Sequence, residues 1–283
     1  MTLPNFLGLG VQRSGTSWLY SRLKTHPDIY LPSQRKEIHY FDKFYQRGVK
    51  WYSKYLPTDS QAEQFKAIGE ITPCYFFDPK VPERIYNLIP DCRFILILRN
   101  PADRIYSHYL LAYGKGLTQG DLSNFINNRK RAFPRGLYSD QLERYLEYFT
   151  MDNFKILIFE ELFHDEASRQ SGLESIARFL EIDETRFPVA DHKQRVNAGH
   201  GPPTFRNTYG KAIKFKRWLR NHDMDWIINY GRTLGVKRSL FGQDRKTPEF
   251  KPEERNRLIE RYEPSIRTLE SYLGRDLDIW LSH

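Results

Sequence analysis

The stretch GVQRSGTSWL, residues 10–19, decides the fold prediction for this chain. Gly10 and Gly15 have the spacing of the phosphate-binding loop G-x-x-x-x-G-K-[ST], but Thr16 stands where that motif has its lysine. A cation, Arg13, appears earlier in the loop instead. The apolar run before the loop is typical of a buried strand, and the residues after it have the apolar spacing of a helix. The loop therefore joins a strand to a helix, which is the setting that a phosphate loop needs.

Strands and helices are predicted to alternate along the rest of the chain. Residues 121–135 are charged and weakly patterned and are expected to form a surface excursion, and Pro264 is expected to kink or divide the C-terminal helix. The alternation indicates a mostly parallel central sheet flanked by helices. No linker demands a second domain, so we predict a single α/β domain over residues 1–283. Further buried strands are predicted at residues 66–72, 92–99 and 154–162.

The charge of the chain predicts an anionic partner. Its 283 residues carry a formal net charge of +9, which favours phosphate, sulfate, acidic glycans, nucleic acid or anionic lipid. The two cysteines, Cys74 and Cys92, are too few for a disulfide framework or a four-ligand metal site. No segment has the pattern of a signal peptide, and no apolar span approaches ~20 residues. We therefore expect no membrane span and a reducing, cytoplasmic setting.

Two anion sites are predicted from the residues alone. Backbone N–H groups of a glycine loop at a helix N-terminus bind anions, and the hydroxyls of Thr16 and Ser17 and the charge of Arg13 add to this site. Arg99 ends a predicted strand and Ser107 lies two turns into the next helix, so the pair can hold a second phosphate. A triphosphatase needs the missing lysine and an acidic strand end for Mg²⁺, which argues against triphosphate hydrolysis. A tight structural turn and a plain strand-terminal charge are the alternatives.

Together these two motifs resemble those of sulfotransferases that use 3′-phosphoadenosine-5′-phosphosulfate (PAPS) and release 3′-phosphoadenosine-5′-phosphate (PAP). QRSGTSW looks like their 5′-phosphosulfate loop, and RNPADRIYSHY looks like their 3′-phosphate motif. RKEIHYFD is similar to the K-E-x-H-F-F-D stretch of the heparan-sulfate-type N- and 3-O-sulfotransferases, and GEITPCYF, GLYSDQLERYLEYF and LGRDL resemble segments of the same branch, which includes bacterial sulfotransferase domains. The similarity extends from about Leu7 to Asp276. It implies a P-loop nucleotide-kinase-like fold and a PAPS-dependent transfer that needs no metal.

The resemblance implies which residues hold the donor. Arg13 is assigned to the bridging oxygen of the phosphosulfate, where charge builds as PAP leaves, although related enzymes commonly have lysine there. Arg99 and Ser107 are assigned to the 3′-phosphate, and Gly199 is assigned to a loop that closes over the nucleotide. An ordinary surface turn at Gly199 is the alternative. The other residues assigned to the donor are Ser14, Gly15, Thr16, Ser17 and Trp18, of which Trp18 packs beneath the loop or against adenine.

Glu37 is the candidate general base, because it occupies the place of the catalytic glutamate in the K-E-x-H motif. Partial burial among apolar neighbours is expected to raise its pKa, which suits a base. His39 and Asp42 match the same motif and are assigned to orienting Glu37 or the acceptor. Without the resemblance, these residues are interpreted as solvated charges and a packed histidine. A metal at His39 is not expected, because no second His or Cys lies three or four residues away.

The acceptor is the least determined part of the prediction. Ile71 stands where glycan-acting relatives often have a lysine near the acceptor sugar, which argues against carrying over an acidic, heparan-like acceptor. A less charged glycan, a lipid, or a small or carrier-bound molecule with a hydroxyl or amine stays open. Tyr138 lies either at the nucleotide end of the cleft or in the core. The oligomeric state is not predicted.

Three other classes of protein compete with this interpretation. A P-loop kinase or related nucleotide-dependent transferase would need Mg²⁺ and ATP. A basic nucleic-acid-binding protein is suggested by NRKRAFPR, KFKRWLR and GRTLGVKR, but these clusters are dispersed and no nucleic-acid motif accompanies them, so no nucleic acid partner is expected. A catalytically inactive sulfotransferase-like module is disfavoured because Arg13, Glu37, Arg99 and Ser107 are all present.

Overall fold

A five-stranded sheet forms the centre of the computed structural model, which describes residues 1–118, 120–188, 206–228 and 248–281. The strand order is β2-β3-β1-β4-β5, and every pairing is parallel. This arrangement confirms the predicted α/β class and single parallel sheet. The strands are β1 (Phe6–Gly10), β2 (Ile29–Tyr30), β3 (Ala67–Ile71), β4 (Arg93–Leu98) and β5 (Phe154–Ile158).

Helices follow each strand and cover the sheet. The described α-helices are α1 (Thr16–Leu23), α2 (Val49–Tyr52), α3 (Asp59–Ala62), α4 (Val81–Leu88), α5 (Pro101–Gly114), α6 (Leu122–Asn128), α7 (Tyr138–Leu146), α8 (Phe159–Leu162), α9 (Glu166–Phe179), α10 (Arg206–Asn221), α11 (Pro252–Leu273) and α12 (Asp278–Leu281). A π-helical turn, Tyr40–Phe44, lies between β2 and α2. In the described ranges, no helix combines the length and apolar character needed to cross a bilayer.

Successive strand side chains point to opposite faces and fill two apolar cores. Phe94 and Leu96 belong to the core that contains α5, α7 and α11, whereas Ile95 and Ile97 belong to the core that contains α1 and α9. Strands β1 and β4 are thus buried on both faces, which explains why their sequences are almost continuously apolar.

Three details of the fold differ from the sequence prediction. The expected surface excursion at 121–135 contains α6, whose residues Leu122 and Phe125 are buried in the core, so its weak pattern concealed an amphipathic helix. Helix α11 runs through Pro264 undivided, so of the two predicted outcomes, a kink or a division, the division is wrong. The strand predicted at 154–162 ends at residue 158, and a helical turn follows it.

The order of the strands places a crevice between the carboxyl ends of β1 and β4. The chain moves from β1 toward β2 and β3 on one side and then crosses to β4 on the other, so this is the point where the strand order reverses. Ligands of open α/β sheets bind at such a point. The glycine loop follows β1, and Arg99 follows β4, so both predicted anion motifs flank the same crevice.

Candidate functional site

The loop after β1 forms an uncapped helix start. Gly15 has φ 81° and precedes α1 without a side-chain cap, so the first-turn N–H groups of α1 are not satisfied by a capping side chain. A Cβ atom at Gly15 would lie 2.7 Å from a ring carbon of Phe163, so no larger residue fits there. The loop thus offers backbone donors and the positive end of a helix dipole to an anion.

Arg13 joins the two predicted anion motifs. Its Nε donates a hydrogen bond to Oγ of Ser107 at 3.1 Å, and Nη1 of Arg99 donates to the Arg13 carbonyl oxygen at 3.1 Å. Burial lowers the pKa of Arg13, and the nearby charge of Arg99 lowers it further. Arg13 also has φ 75°, in the left-handed region that non-glycine residues seldom adopt, as is common at functional sites. Arg99 and Ser107 follow Arg13 by 86 and 94 positions in the sequence. The fold brings these three assigned residues together at one point.

Other residues assigned to the donor lie around this point. Ser14 and Thr16 are buried within the loop, and Oγ of Ser14 has no hydrogen-bond partner among the described residues. Trp18 packs edge-on against Phe163, with ring centroids 5.1 Å apart, as expected for packing beneath the loop. Tyr138 is a core residue, and its hydroxyl donates to the Arg99 carbonyl oxygen at 2.9 Å. The predicted loop residue Gly199 lies outside the described residues.

Lys36 is a site residue that the sequence analysis did not assign. Its Nζ donates to Oγ of Ser17 at 2.6 Å, so a lysine reaches the loop from the segment after β2. The phosphate-loop motif has its lysine at the position of Thr16, and here the ammonium group comes from a different part of the chain. The signal was present, because Lys36 precedes Glu37 in the quoted motif, but spacing alone does not show which way its side chain points.

Glu37, His39 and Asp42 form a row of hydrogen-bonding groups beside the loop. Nδ1 of His39 lies 2.9 Å from a carboxylate oxygen of Asp42, and Nε2 lies 3.5 Å from Oε2 of Glu37. His39 is buried and has φ 62°. The side chain of Glu37 is 33% exposed, so its carboxylate can be reached by an acceptor. His39 thus lies between the two carboxylates, and its role in orienting Glu37 stays a prediction.

The expected rise in the pKa of Glu37 is wrong. Burial alone does raise the pKa of Glu37, but the hydrogen bond and charge of His39, together with the charges of Lys36 and Arg220, outweigh burial and leave the pKa lowered. The reverse holds for His39: burial lowers its pKa, but Asp42 and Glu37 outweigh burial and raise it. Glu37 is therefore ionised at neutral pH and ready to accept a proton, without the increased basicity that burial would have supplied.

The opposite pKa shifts predict a pH window for the stability that this row contributes. The stability contributed by Glu37 is present above pH 4.5 and is lost as the pH falls through its lowered folded pKa. The stability contributed by His39 is present below pH 6.5 and is lost as the pH rises through its raised folded pKa. Urea unfolding should therefore show the largest stability difference between wild type and His39→Gln at pH 4.5–6.5, with a smaller difference at pH 8.5. A constant difference across this range, matching that of the exposed control His164→Gln, would contradict the ion pairing.

Glu70, on β3, holds the segment that carries Glu37 and His39. It is fully buried, and it accepts hydrogen bonds from the hydroxyls of Thr72 and Tyr75, each at 2.6 Å, from the hydroxyl of Tyr52 at 3.1 Å and from the N–H of Ile38 at 3.2 Å. The same hydroxyls of Thr72 and Tyr75 accept from the backbone N–H groups of residues 39 and 41 at 3.4 and 3.3 Å. One carboxyl group thus fixes the backbone that directly follows the candidate base.

We expect Glu70→Gln to lower the unfolding free energy by about 1–3 kcal/mol, because an amide nitrogen would face donors that a carboxyl oxygen now satisfies. The change should also lower turnover through the displaced Glu37 segment, with little effect on nucleotide affinity. Tyr52→Phe is the matched control, since it removes one donor and keeps the acceptor. Chemical unfolding and nucleotide titration would measure both effects, and equal stability of Glu70→Gln and Tyr52→Phe would refute the central role of this carboxyl group.

Cys74 lies closer to His39 than the sequence indicated. His39, Asp42 and Cys74 offer ligand atoms that all lie within 4.8 Å of one another, so the argument from local spacing overlooked a ligand type supplied by a distant segment. Nζ of Lys43 lies 3.2 Å from both ring nitrogens of His39, and its positive charge opposes a second cation there. Transfer without a metal stays a prediction of the sequence.

A cavity of about 900 Å³ opens beside His39. Six of its ten lining residues are Lys or Arg, and no Asp or Glu is among the described residues that line it. Three of these cations, Arg35, Arg47 and Arg220, form ion pairs with the carboxylates of Asp223 and Asp225. We call this cavity the basic cleft, because cationic side chains form most of its lining. Its cationic lining consists of Arg35, Lys43, Arg47, Lys115, Lys216 and Arg220.

Comparison with known proteins agrees with the site. Residues 3–274 match the model of the sulfotransferase domain family. Heparan sulfate glucosamine 3-O-sulfotransferase 6 of Mus musculus is 30% identical over 217 residues, which cover 74% of this chain and 60% of that protein. The membrane-associated sulfotransferase kil1 of Dictyostelium discoideum is 38% identical over 109 residues, which cover 38% of this chain and 23% of that protein. The chain thus spans less than two thirds of the length of these relatives.

A solved structure has the same fold. The crystal structure of a sulfotransferase from Alicyclobacillus acidocaldarius superimposes with a TM-score of 0.72 over the whole of both chains, at 21% identity. The family match covers nearly all of the chain, including the glycine loop, the Glu37 segment and the Arg99 motif. The protein belongs to the sulfotransferase domain family.

Proposed function

We propose that the protein is a sulfotransferase that moves a sulfuryl group from PAPS to a hydroxyl or amine of an anionic acceptor. The observation that carries the proposal is the meeting of Arg13, Ser107 and Arg99 at the crevice between β1 and β4. An uncapped helix start and two arginines at one point suit a nucleotide with a phosphosulfate and a separate 3′-phosphate. Family membership supports the same chemistry.

In the proposed reaction, the bond between sulfur and the bridging oxygen of the phosphosulfate breaks as a new bond forms between sulfur and the acceptor oxygen or nitrogen. The acceptor proton passes to the carboxylate of Glu37, which is ionised at neutral pH because its pKa is lowered. Arg13 and the first-turn amides of α1 stabilise the charge that develops on the departing oxygen, and Lys36 adds a cation through its contact with Ser17. His39 and Asp42 hold the carboxylate of Glu37 in position.

The basic cleft supports an anionic acceptor. It borders His39, which contacts Glu37, so a molecule bound there lies beside the proposed base. In the sequence analysis, Ile71 in place of the lysine of glycan-acting relatives argued against an acidic acceptor. Ile71 is fully buried in the core that contains α1 and does not line the cleft. The cations of the cleft come from other segments, so the loss of a lysine at position 71 does not remove its charge. The relatives that act on heparan sulfate are consistent with an acidic glycan as the acceptor class.

The donor part of the proposal is tested by nucleotide binding. Calorimetry should detect PAP binding in the presence of EDTA, and Arg99→Ala should weaken PAP far more than it weakens 5′-AMP, which lacks the 3′-phosphate. Each lost hydrogen bond to a charged group is worth about 1.5–3 kcal/mol, or roughly a tenfold to hundredfold loss of affinity. Equal losses for the two nucleotides would overturn the assignment of Arg99, and binding of Mg-ATP without PAP binding would favour a P-loop kinase.

The acceptor part is tested with labelled PAPS and defined glycans. Incorporation of label into N-sulfated heparosan should exceed incorporation into neutral glycans, and it should fall as salt rises. Lys216→Ala and Lys43→Ala should raise KM for the acceptor and leave PAP affinity unchanged. Label that enters only a neutral acceptor would overturn the acceptor class and leave the sulfotransferase proposal standing. The cytoplasmic setting stays a prediction of the sequence.

A further inference from the structure

A second, much smaller cavity lies beside the glycine loop. It measures about 10 Å³, which is the space that a single water-sized sphere needs. It lies where the end of β1, the segment after β3, helix α5, the turn before α7 and α7 itself come together. We call it the arginine cavity, and its lining residues are Val11, Gln12, Pro73, Phe76, Phe77, Arg104, Arg135 and Gln141.

Arg104 is fully buried at this cavity with most of its donors unused. Its Nη2 donates to the Ala132 carbonyl oxygen at 2.7 Å, but Nε and Nη1 have no hydrogen-bond partner among the described residues. A buried guanidinium without a counter-charge is costly, because burial removes its hydration and nothing of opposite sign replaces it. The N–H groups of Nε and Nη1 of this buried cation therefore lack an acceptor among the described residues.

Arg135 brings a second cation to the same space. It lies over the ring of Phe77, with its guanidinium carbon 4.3 Å from the ring centroid. Burial lowers the pKa of Arg135, and Arg104 lowers it further, while the Cys74 thiol opposes this change. Among the described lining residues, none is Asp or Glu, so the two arginines share no protein anion in the cavity.

His108, one turn after Arg104 on α5, reports the same positive potential. Burial lowers its pKa to about 3, and the next contributions come from Arg104 and Arg135. The imidazole is therefore neutral at physiological pH, and its Nδ1 has no partner among the described residues. Burial is the main cause of this shift, and the charges of the two arginines add to it.

We propose that the arginine cavity binds one halide ion, chloride in the cell, held by the guanidinium groups of Arg104 and Arg135. A single-atom anion needs less room than a phosphate, a sulfate or a carboxylate, so a halide is the anion best suited to a space this small. A water molecule fits as well, but it carries no charge to offset two arginines. Gln12 of the glycine loop lines the cavity, so the bound ion stabilises the base of this loop.

Thermal unfolding of the full chain at constant ionic strength tests the proposal. Replacing sodium gluconate stepwise by sodium chloride or bromide should raise the unfolding midpoint along a saturating curve, by about 5 °C at a hundredfold excess over the dissociation constant. Line broadening of ³⁵Cl in nuclear magnetic resonance should accompany the same titration. Equal midpoints in gluconate, chloride and bromide, without line broadening, would show that the cavity holds water only.

Variants of the two arginines test whether the ion binds in this cavity. Arg104→Met and Arg135→Met should each lose the halide-dependent rise, whereas the exposed control Arg178→Met should keep it. Arg13→Met should also keep it, and loss of the rise in Arg13→Met alone would place the ion in the phosphate loop and overturn the proposal. If Arg104→Met does not fold, Arg135→Met and the ³⁵Cl measurement on wild type decide the question. This test does not depend on sulfuryl transfer, so it can fail or succeed independently of the proposed function.

Discussion

Glu37→Gln is expected to lower kcat roughly a hundredfold to ten-thousandfold, the range that a positioned general base contributes. The amide is nearly the same size as the carboxylate, but it cannot accept the acceptor proton. The donor site is built from the glycine loop and the Arg99 motif, so PAP affinity should be unchanged. Transfer of label from PAPS to an acceptor that the wild type modifies would measure turnover, and calorimetry would measure PAP binding.

The exposed residue Glu147, which directly follows the last residue of α7, supplies the matched control. Glu147→Gln makes the same chemical change away from the crevice and should leave kcat unchanged. Turnover of Glu37→Gln equal to that of this control would remove Glu37 as the base. Loss of turnover together with loss of PAP affinity would instead assign Glu37 to the donor site.

Arg13→Met is expected to lower kcat roughly a hundredfold to a thousandfold, as does removal of one donor that stabilises a developing oxyanion. The reason is the proposed role of Arg13: its side chain reaches from the glycine loop to Ser107, and the proposed reaction assigns it to the oxygen on which charge develops as PAP departs. Methionine keeps much of the length of the side chain and removes the charge. Single-turnover measurements at saturating PAPS would separate this loss from weaker binding.

Arg13→Lys distinguishes the charge of this residue from its geometry. Lysine keeps the cation and is a better proton donor than arginine, so Arg13→Lys should retain most of the activity that Arg13→Met loses. The backbone at position 13 has φ 75° in both variants, so strain is matched between them. Equal losses for the two variants would show that the guanidinium shape, and not its charge, matters at this position.

The sequence predicted the strands well because burial on both faces leaves an unmistakable pattern. Residues 94–98 are a continuous apolar run within the predicted strand 92–99, and β4 occupies residues 93–98 with both faces covered. The loop after β1 was also predictable, since Gly15 is required by a positive φ and by the approach of Phe163. Helix α6 was missed because its few apolar residues, among them Leu122 and Phe125, are separated by polar ones.

The site was only partly predictable, because its electrostatics depend on contacts between distant segments. The pKa of Glu37 is lowered through His39, Lys36 and Arg220, and Arg220 lies on a helix far along the chain. Burial could be anticipated from the neighbours of Glu37 in sequence, but the direction of the side chains around it could not. For the same reason, the lysine that reaches Ser17 and the thiol near His39 were not foreseen.

In the proposed function, the charge of Arg220 would act on both recognition and chemistry, since this residue lines the basic cleft and also lowers the pKa of Glu37. An anionic acceptor that occupies the cleft would counterbalance this cation, and the proton affinity of Glu37 would rise as a result. Transfer to water and to uncharged molecules would then be slow, and it would become faster only when an anionic acceptor is bound in the cleft. Such a protein would select its acceptor through the rate of transfer as well as through binding affinity.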